Sequence, residues 1–274
     1  MTEKPVINIL LSGNNVVFEG ICLNVLSALY YTDAPLHLHL MTMRLPGQDQ
    51  SITRAQCDKL LGVMQELRPG SGLTLIDVSN DYEECFAHSK NNKPVYTPYS
   101  LIRLFVQRYI NCDKLIYMDA DTMVCKSLET FFEHDIENKE MGVVLDYLGK
   151  FWIKKDYFNS GVLFINMKRV NETNLFENAI ALLNKKKLFF ADQSALYELC
   201  KEKLYMPGGF NEQRDIKPDT VVKHFNKGIK WLPFIHPYNI KQWQRDKVRK
   251  VLKINYFDHI YDMYDTYFAD VDKT

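Results

Sequence analysis

The sequence predicts an α/β protein: a mostly parallel sheet covered by helices. Short apolar runs that read as strands alternate with longer segments of helical spacing from the first residues onward. The length, 274 residues, fits one large α/β domain or two small ones. A chain that is 46% hydrophobic and 25% charged is neither disordered nor fibrous.

The elements follow in order. Pro5 to Ser12 reads as a buried strand stopped by Gly13-Asn14-Asn15. Phe18 to Tyr31 has helical spacing, and Leu36 to Thr42 alternates at period two. Ile52 to Leu67 is helical until Pro69-Gly70-Ser71-Gly72 stops it, and Leu73 to Val78 is the next strand. Thr97-Pro98 opens a helix expected to run to about Ile110. Lys114 to Met118 is a strand that leads straight into Asp119-Ala120-Asp121. Strands are expected at Met141 to Leu145, Gly161 to Met167 and Thr220 to Phe225, and helices at about Glu172 to Lys186 and Asp192 to Lys203. The domain reading is 1–235 for the main body and 236–274 for a C-terminal helical extension.

Composition narrows the function. Thirty-four basic and thirty-four acidic residues cancel, so the chain lacks the positive field of a typical nucleic-acid binder. No window approaches the roughly 18 apolar residues of a membrane span. The first apolar run, Val6 to Leu11, has no basic segment before it, unlike a signal peptide. Six scattered cysteines with no CxxC pair read as free thiols, which suits a reducing compartment and a cytoplasmic location. GxGxxG, Walker A, GxSxG and HExxH motifs are absent, which argues against the usual dehydrogenases, P-loop ATPases, α/β-hydrolases and zincins.

Ligands of such sheets bind at the carboxyl ends of strands. Asp119 and Asp121, two carboxylates at i and i+2 just past a buried strand, can converge on a hard divalent cation such as Mn²⁺ or Mg²⁺. Twenty aspartates give about one and a half such pairs by chance, and Asp270-x-Asp272 is a second, so position carries the signal. His224, at the end of the last strand, could join the carboxylates, or be a hydrogen-bonded core residue. Lys230 could neutralise a diphosphate, or simply be solvated. His37 and His39 share one strand face without an acidic or cysteine partner and read as a solvent-side face. Lys241 to Lys253 holds six basic residues and one acidic one; it reads as a solvated helix face or as a peripheral contact with an anionic membrane. Residues 85–96 form a connection ahead of Arg103 that could act as a lid.

Four motifs in this order resemble glycosyltransferase family 8, the retaining enzymes of the GT-A fold. They are Arg103-Leu104 with Cys112 to Val124, Tyr157 to Met167, Asp192-Gln193, and His224 to Trp231. The resemblance runs from about Ile7 to Trp231 and implies a Rossmann-like α/β/α sandwich with a mostly parallel mixed sheet. It implies that Asp119, Asp121 and His224 hold Mn²⁺, with Mg²⁺ as the second choice, against the diphosphate of a UDP-sugar. Lys230 and the Gly228 backbone would contact that diphosphate. Arg103, Asp192 and Asn159, with neighbouring Ser160, would orient the donor sugar, and Asp146 matches an acid of the sugar site. Gln193 would sit beside the anomeric carbon, and Asn15 at the base.

The implied reaction moves galactose or glucose from UDP-galactose or UDP-glucose to a glycan, lipid-linked glycan or glycoprotein acceptor, with retention. A metal and a lysine suit the negative charge that builds on the leaving UDP. The Gln193 amide suits stabilisation of a developing cation. The chain departs from the family pattern at Gly13 and Val16, at the shifted Gly228 with no proline after Lys230, and at Ser194, so the base and sugar stay open. Two other readings are a sugar-nucleotide-binding protein without turnover and a glycogenin-like self-glucosylating protein.

Overall fold

The computed structural model describes residues 4–45, 47–48, 50–91, 98–230 and 236–269, with the side chains of 229, 230 and 236 left aside. The chain runs β1 (Ile7–Ser12), α1 (Phe18–Tyr31), β2 (Leu36–Thr42), α2 (Arg54–Leu67), β3 (Gly72–Asp77) and α3 (Ser79–Phe86). It continues through α4 (Val106–Tyr109), β4 (Lys114–Met118), β5 (Thr122–Val124), β6 (Met141–Leu145), α5 (Gly149–Trp152) and β7 (Phe158–Asn166). Then come α6 (Met167–Thr173), α7 (Leu175–Lys185), α8 (Ala191–Leu199), β8 (Lys203–Tyr205), β9 (Val222–His224) and β10 (Gly228–Lys230). The last elements are β11 (His236–Tyr238), α9 (Arg245–Lys247) and α10 (Asp258–Phe268).

Seven strands form one mixed sheet in the order β3-β2-β1-β4-β7-β6-β8. β1 pairs in parallel with both β2 and β4, whereas β7 runs antiparallel to β4 and β6. Strand alternation divides the core between the two faces. Leu115 and Tyr117 of β4 pack on the side of α7 and α8, and Ile116 and Met118 on the side of α1 and α10. After β1 the chain steps outward through β2 and β3, then returns to place β4 on β1's other side. The carboxyl ends of β1 and β4 therefore flank a switch point, where an open α/β sheet leaves a crevice. Asp119 begins there, directly past β4.

Several helices differ from expectation. The segment expected to be one helix up to Ile110 is two 3₁₀ turns, Pro98–Ser100 and Ile102–Phe105, followed by the single α turn of α4. Thr97, its expected cap, and residues 92–96 of the expected lid lie outside the described residues, while Cys85 and Phe86 of that segment end α3. The helix expected from Glu172 is two helices, because Asn174 takes a left-handed φ of 51° between α6 and α7. The helix expected to reach Lys203 ends at Leu199, and Lys203–Tyr205 instead pairs with β6 as a strand. The C-terminal segment opens with β11, which pairs antiparallel with β10 of the main body, and its Phe257, Ile260, Tyr261 and Phe268 are buried in the α1-side core. All six cysteines are free. Among the described residues no helix is long and apolar enough to cross a membrane.

Candidate active site

Backbone pairing assembles the acidic centre. After β4, the Thr122 N–H and side-chain hydroxyl both donate to the Asp119 carbonyl, at 3.1 and 2.8 Å, which turns the chain. β5 then pairs antiparallel with β9, with Thr122 opposite His224. That register sets the imidazole beside Asp121, and the Phe225 N–H donates to the Asp121 carbonyl at 2.8 Å. The Asp119 N–H is held by the Gly161 carbonyl of β7 at 2.7 Å. One ligand atom from each of Asp119, Asp121 and His224 lies within 4.8 Å of the others. Gly161 makes this approach feasible, since a Cβ there would sit 2.1 Å from His224 Cε1.

The hydrogen-bond network fixes the orientation of the His224 ring. Asn159 Oδ1 accepts from the Gly161 N–H at 2.9 Å, and this orients the amide. Asn159 Nδ2 therefore donates to Asp146, at 3.0 Å. Asn211 Nδ2 donates to the same Asn159 oxygen at 2.9 Å, which turns Asn211 Oδ1 toward His224 Nδ1 at 3.1 Å. An acceptor there requires a proton on Nδ1. In the neutral ring Nε2 then presents a lone pair, 3.2 Å from Asp121 Oδ1 and 3.7 Å from Asp119 Oδ2. Three acceptors facing one another repel unless a cation lies between them. The residues therefore fit a hard or borderline divalent metal held by two carboxylates and one imidazole.

Two cations border this centre. Arg103 is 6% exposed and reaches Asp119 at 2.8 Å, Asp192 at 3.3 Å and the Ser160 carbonyl at 2.7 Å. Its guanidinium lies over the Tyr117 ring, 4.4 Å from the centroid, and Tyr117 Oη donates to Asp119 at 2.6 Å. Lys241 pairs with Asp121 and donates to the Phe225 carbonyl at 3.0 Å. Burial opposes ionisation of Asp121, but His224, when its ring carries both protons, and Lys241 hold its carboxyl well below the usual range; a metal would take the place of the Nε2 proton. Burial pushes the Asp192 carboxyl up, against the pull of Arg103.

Asp146 and Gln193 close the other side. Asp146 Oδ1 accepts from the Leu148 and Gly149 N–H groups at 3.0 and 2.6 Å, and its Oδ2 faces Gln193 Nε2 at 3.3 Å. Gln193 Oε1 accepts from the Ser160 N–H at 3.0 Å and from the Ser160 hydroxyl at 3.4 Å, which orients the amide. Ala191, just before this pair, has φ 28°, a costly conformation for a residue with a Cβ; the turn it makes delivers Asp192 and Gln193 to the site.

The structure thus brings together Asp119, Asp121, His224, Arg103, Asp192, Asn159, Ser160, Asp146 and Gln193. Asn15 stands apart from them: it is exposed at the end of β1 and accepts from Gln56 Nε2 at 2.6 Å. Gly228 lies against the Tyr238 ring, where a Cβ would be 2.4 Å from the hydroxyl. The Lys230 side chain, Trp231 and the second aspartate pair, Asp270 and Asp272, lie outside the described residues. His37 and His39 hydrogen-bond Thr74 and Asn8, and their rings stack 4.6 Å apart.

Sequence reasoning missed Lys241, Asn211 and Tyr117 as members of the site. Lys241 was hidden in the basic tail, and nothing around Asn211 distinguishes it in sequence. Tyr117 reads there as one more apolar strand residue.

Comparison with known proteins agrees with this architecture. The galactosyltransferase LgtC, in complex with donor and acceptor sugar analogues, superposes with a TM-score of 0.69 at 20% identity, covering 93% of this chain and 96% of LgtC. The glycosyltransferase GlyE of Streptococcus pneumoniae superposes with a TM-score of 0.64 at 17% identity, covering 96% of this chain and 64% of GlyE. At these identities the likeness shows the fold, which is that of the GT-A glycosyltransferases. In sequence, GlyA of Streptococcus pneumoniae is 31% identical over 104 residues, 37% of this chain and 15% of GlyA. GlyD of the same organism is 38% identical over 78 residues, 28% of this chain and 9% of GlyD. The alignments thus span a small part of these curated relatives. The model of glycosyl transferase family 8 matches residues 16–247, and the chain belongs to that family.

Proposed function

We propose that this protein is a metal-dependent, retaining hexosyltransferase that uses a UDP-sugar, UDP-galactose or UDP-glucose, and a glycan, lipid-linked glycan or glycoprotein acceptor. The observation that carries the reading is the convergence of His224 Nε2 on the Asp119 and Asp121 carboxylates, at 3.7 and 3.2 Å, beside Asp146 and Gln193. Asp119, Asp121 and His224 would hold Mn²⁺ or Mg²⁺, which when bound supplies positive charge against the diphosphate. The LgtC neighbour binds donor and acceptor sugar analogues, and a glutamine-to-glutamate change in LgtC is described as an active-site mutation. Gln193 is the corresponding candidate here.

The chain's own residues divide the work. Asn211 and Asn159 keep the proton on His224 Nδ1, so Nε2 stays available as a ligand. Arg103 holds the Asp119 and Asp192 carboxylates apart. Asp146 and Asn159 would take hydroxyls of the donor sugar. Ser160 orients the Gln193 carbonyl, whose dipole would face positive charge developing at the anomeric carbon.

Thermal unfolding with UDP, with Mn²⁺ and with both tests the reading. A ligand at about 100 times its Kd adds roughly 2.7 kcal/mol of stability. The expected result is a large shift only with both together, lost in Asp121→Asn, and slow turnover in Gln193→Ala. No shift with any nucleotide would overturn it in favour of a protein that has lost turnover.

A further inference from the structure

Two segments beside the site expose aromatic side chains among lysines. In Lys150 to Lys155, Phe151 is 73% exposed, Trp152 79% and Ile153 41%; in Lys185 to Phe190, Phe189 is 74% exposed. Trp152, Phe189 and Phe151 are the most exposed large apolar side chains among the described residues, and protein surfaces seldom concentrate such groups without a partner.

The two segments form one rim. The Gly149 backbone lies against Tyr157, where a Cβ would be 2.5 Å from the ring. The Tyr157 ring is 6.3 Å from that of Phe190, which meets Phe189 at 4.7 Å. Both segments abut the reaction centre, since the Leu148 and Gly149 N–H groups bind Asp146 and α8 carries Gln193 directly after Phe190.

Charge selects the partner. Lys150, Lys154, Lys155, Lys185 and Lys187 enter no ion pair among the described residues, and Lys186 pairs with Glu198. Aromatic rings flanked by lysines suit the boundary between water and an anionic bilayer, where rings sit among headgroups and ammonium groups meet lipid phosphates. The C-terminal basic segment is less free. Arg245 pairs with Glu19 and Asp265, Arg249 with Asp258, and Lys241 with Asp121.

We propose that the rim formed by Lys150 to Lys155 and Lys185 to Phe189 docks on an anionic lipid bilayer, so that the mouth beside Asp146 and Gln193 opens toward the membrane surface. The docking does not depend on which sugar is transferred, or on turnover at all.

Sedimentation with vesicles of phosphatidylcholine alone, and of phosphatidylcholine mixed with phosphatidylglycerol, tests this on the full chain. The wild type should partition onto the mixed vesicles only, and less at high salt. Each lysine near an anionic surface is worth roughly fivefold in partitioning, so Lys154→Glu with Lys155→Glu should weaken it by at least about 20-fold. Phe151→Ser with Trp152→Ser should also release the protein, with its melting temperature unchanged. Lys247→Glu with Lys250→Glu, in the tail, should leave binding nearly intact. The proposal is overturned if the wild type ignores the mixed vesicles, or if only the tail variant releases it. It is equally overturned if the aromatic variant keeps vesicle binding and instead raises KM for a soluble saccharide acceptor.

Discussion

The acidic centre and the aromatic rim lie side by side yet are built by opposite rules. In the centre the charges are buried or partly buried, and they are partnered: Arg103 between two carboxylates, Lys241 on Asp121, His224 oriented through two asparagines. On the rim the lysines and rings lie at the surface, and among the described residues most of the lysines enter no ion pair. A buried polar network tolerates no loss, because each removal leaves another charge uncompensated at low dielectric. An exposed patch contributes little to folding and stays free to meet something outside.

Substitutions should separate the two regions by magnitude. Arg103→Met should have the largest effect, about 3–5 kcal/mol in urea unfolding, since Asp119 and Asp192 would lose their shared cation. A loss under about 1 kcal/mol would mean the centre is far wetter than its burial indicates. Asn211→Leu should cost less stability but weaken Mn²⁺ binding about 10- to 100-fold, because His224 would lose the acceptor that keeps its proton on Nδ1. Manganese titration followed by electron paramagnetic resonance reads this directly; an unchanged affinity would mean another group orients the ring. Phe151→Ser and Trp152→Ser should each change stability by less than about 0.5 kcal/mol. A larger loss in calorimetry would place those side chains in the folded core's service and blur the contrast.

Legibility in sequence followed the same divide. Contiguous features could be read: α1 matches its expected limits at Phe18 and Tyr31, and the aspartate pair stands directly past the strand that announced it. The candidate metal triad was reachable because all three of its members belong to motifs with a known order. Three-residue strands such as β5, β8 and β10 carry too little pattern to be read, and their pairing decides where side chains meet. Lys241 and Asn211 joined the site through such long-range geometry. The broken helix before α4 was misread because Pro98 marks a start but says nothing of 3₁₀ winding. The aromatic rim went unnoticed because exposure, which gives it meaning, is not a property of sequence.

The two-stranded pairing of β5 with β9 has a consequence for how the protein comes into being. Thr122 and His224 face each other across about a hundred residues of chain. During synthesis, the strands β1 to β4 can assemble while the partner of β5 does not yet exist. Until it arrives, Asp121 lacks both its imidazole and, seventeen residues further on, its ammonium. A chain halted before residue 224 could own most of the sheet and still have no ion site. Any intermediate short of that closure therefore lacks the candidate ion site, and the chemistry proposed for it can begin only when folding is nearly complete.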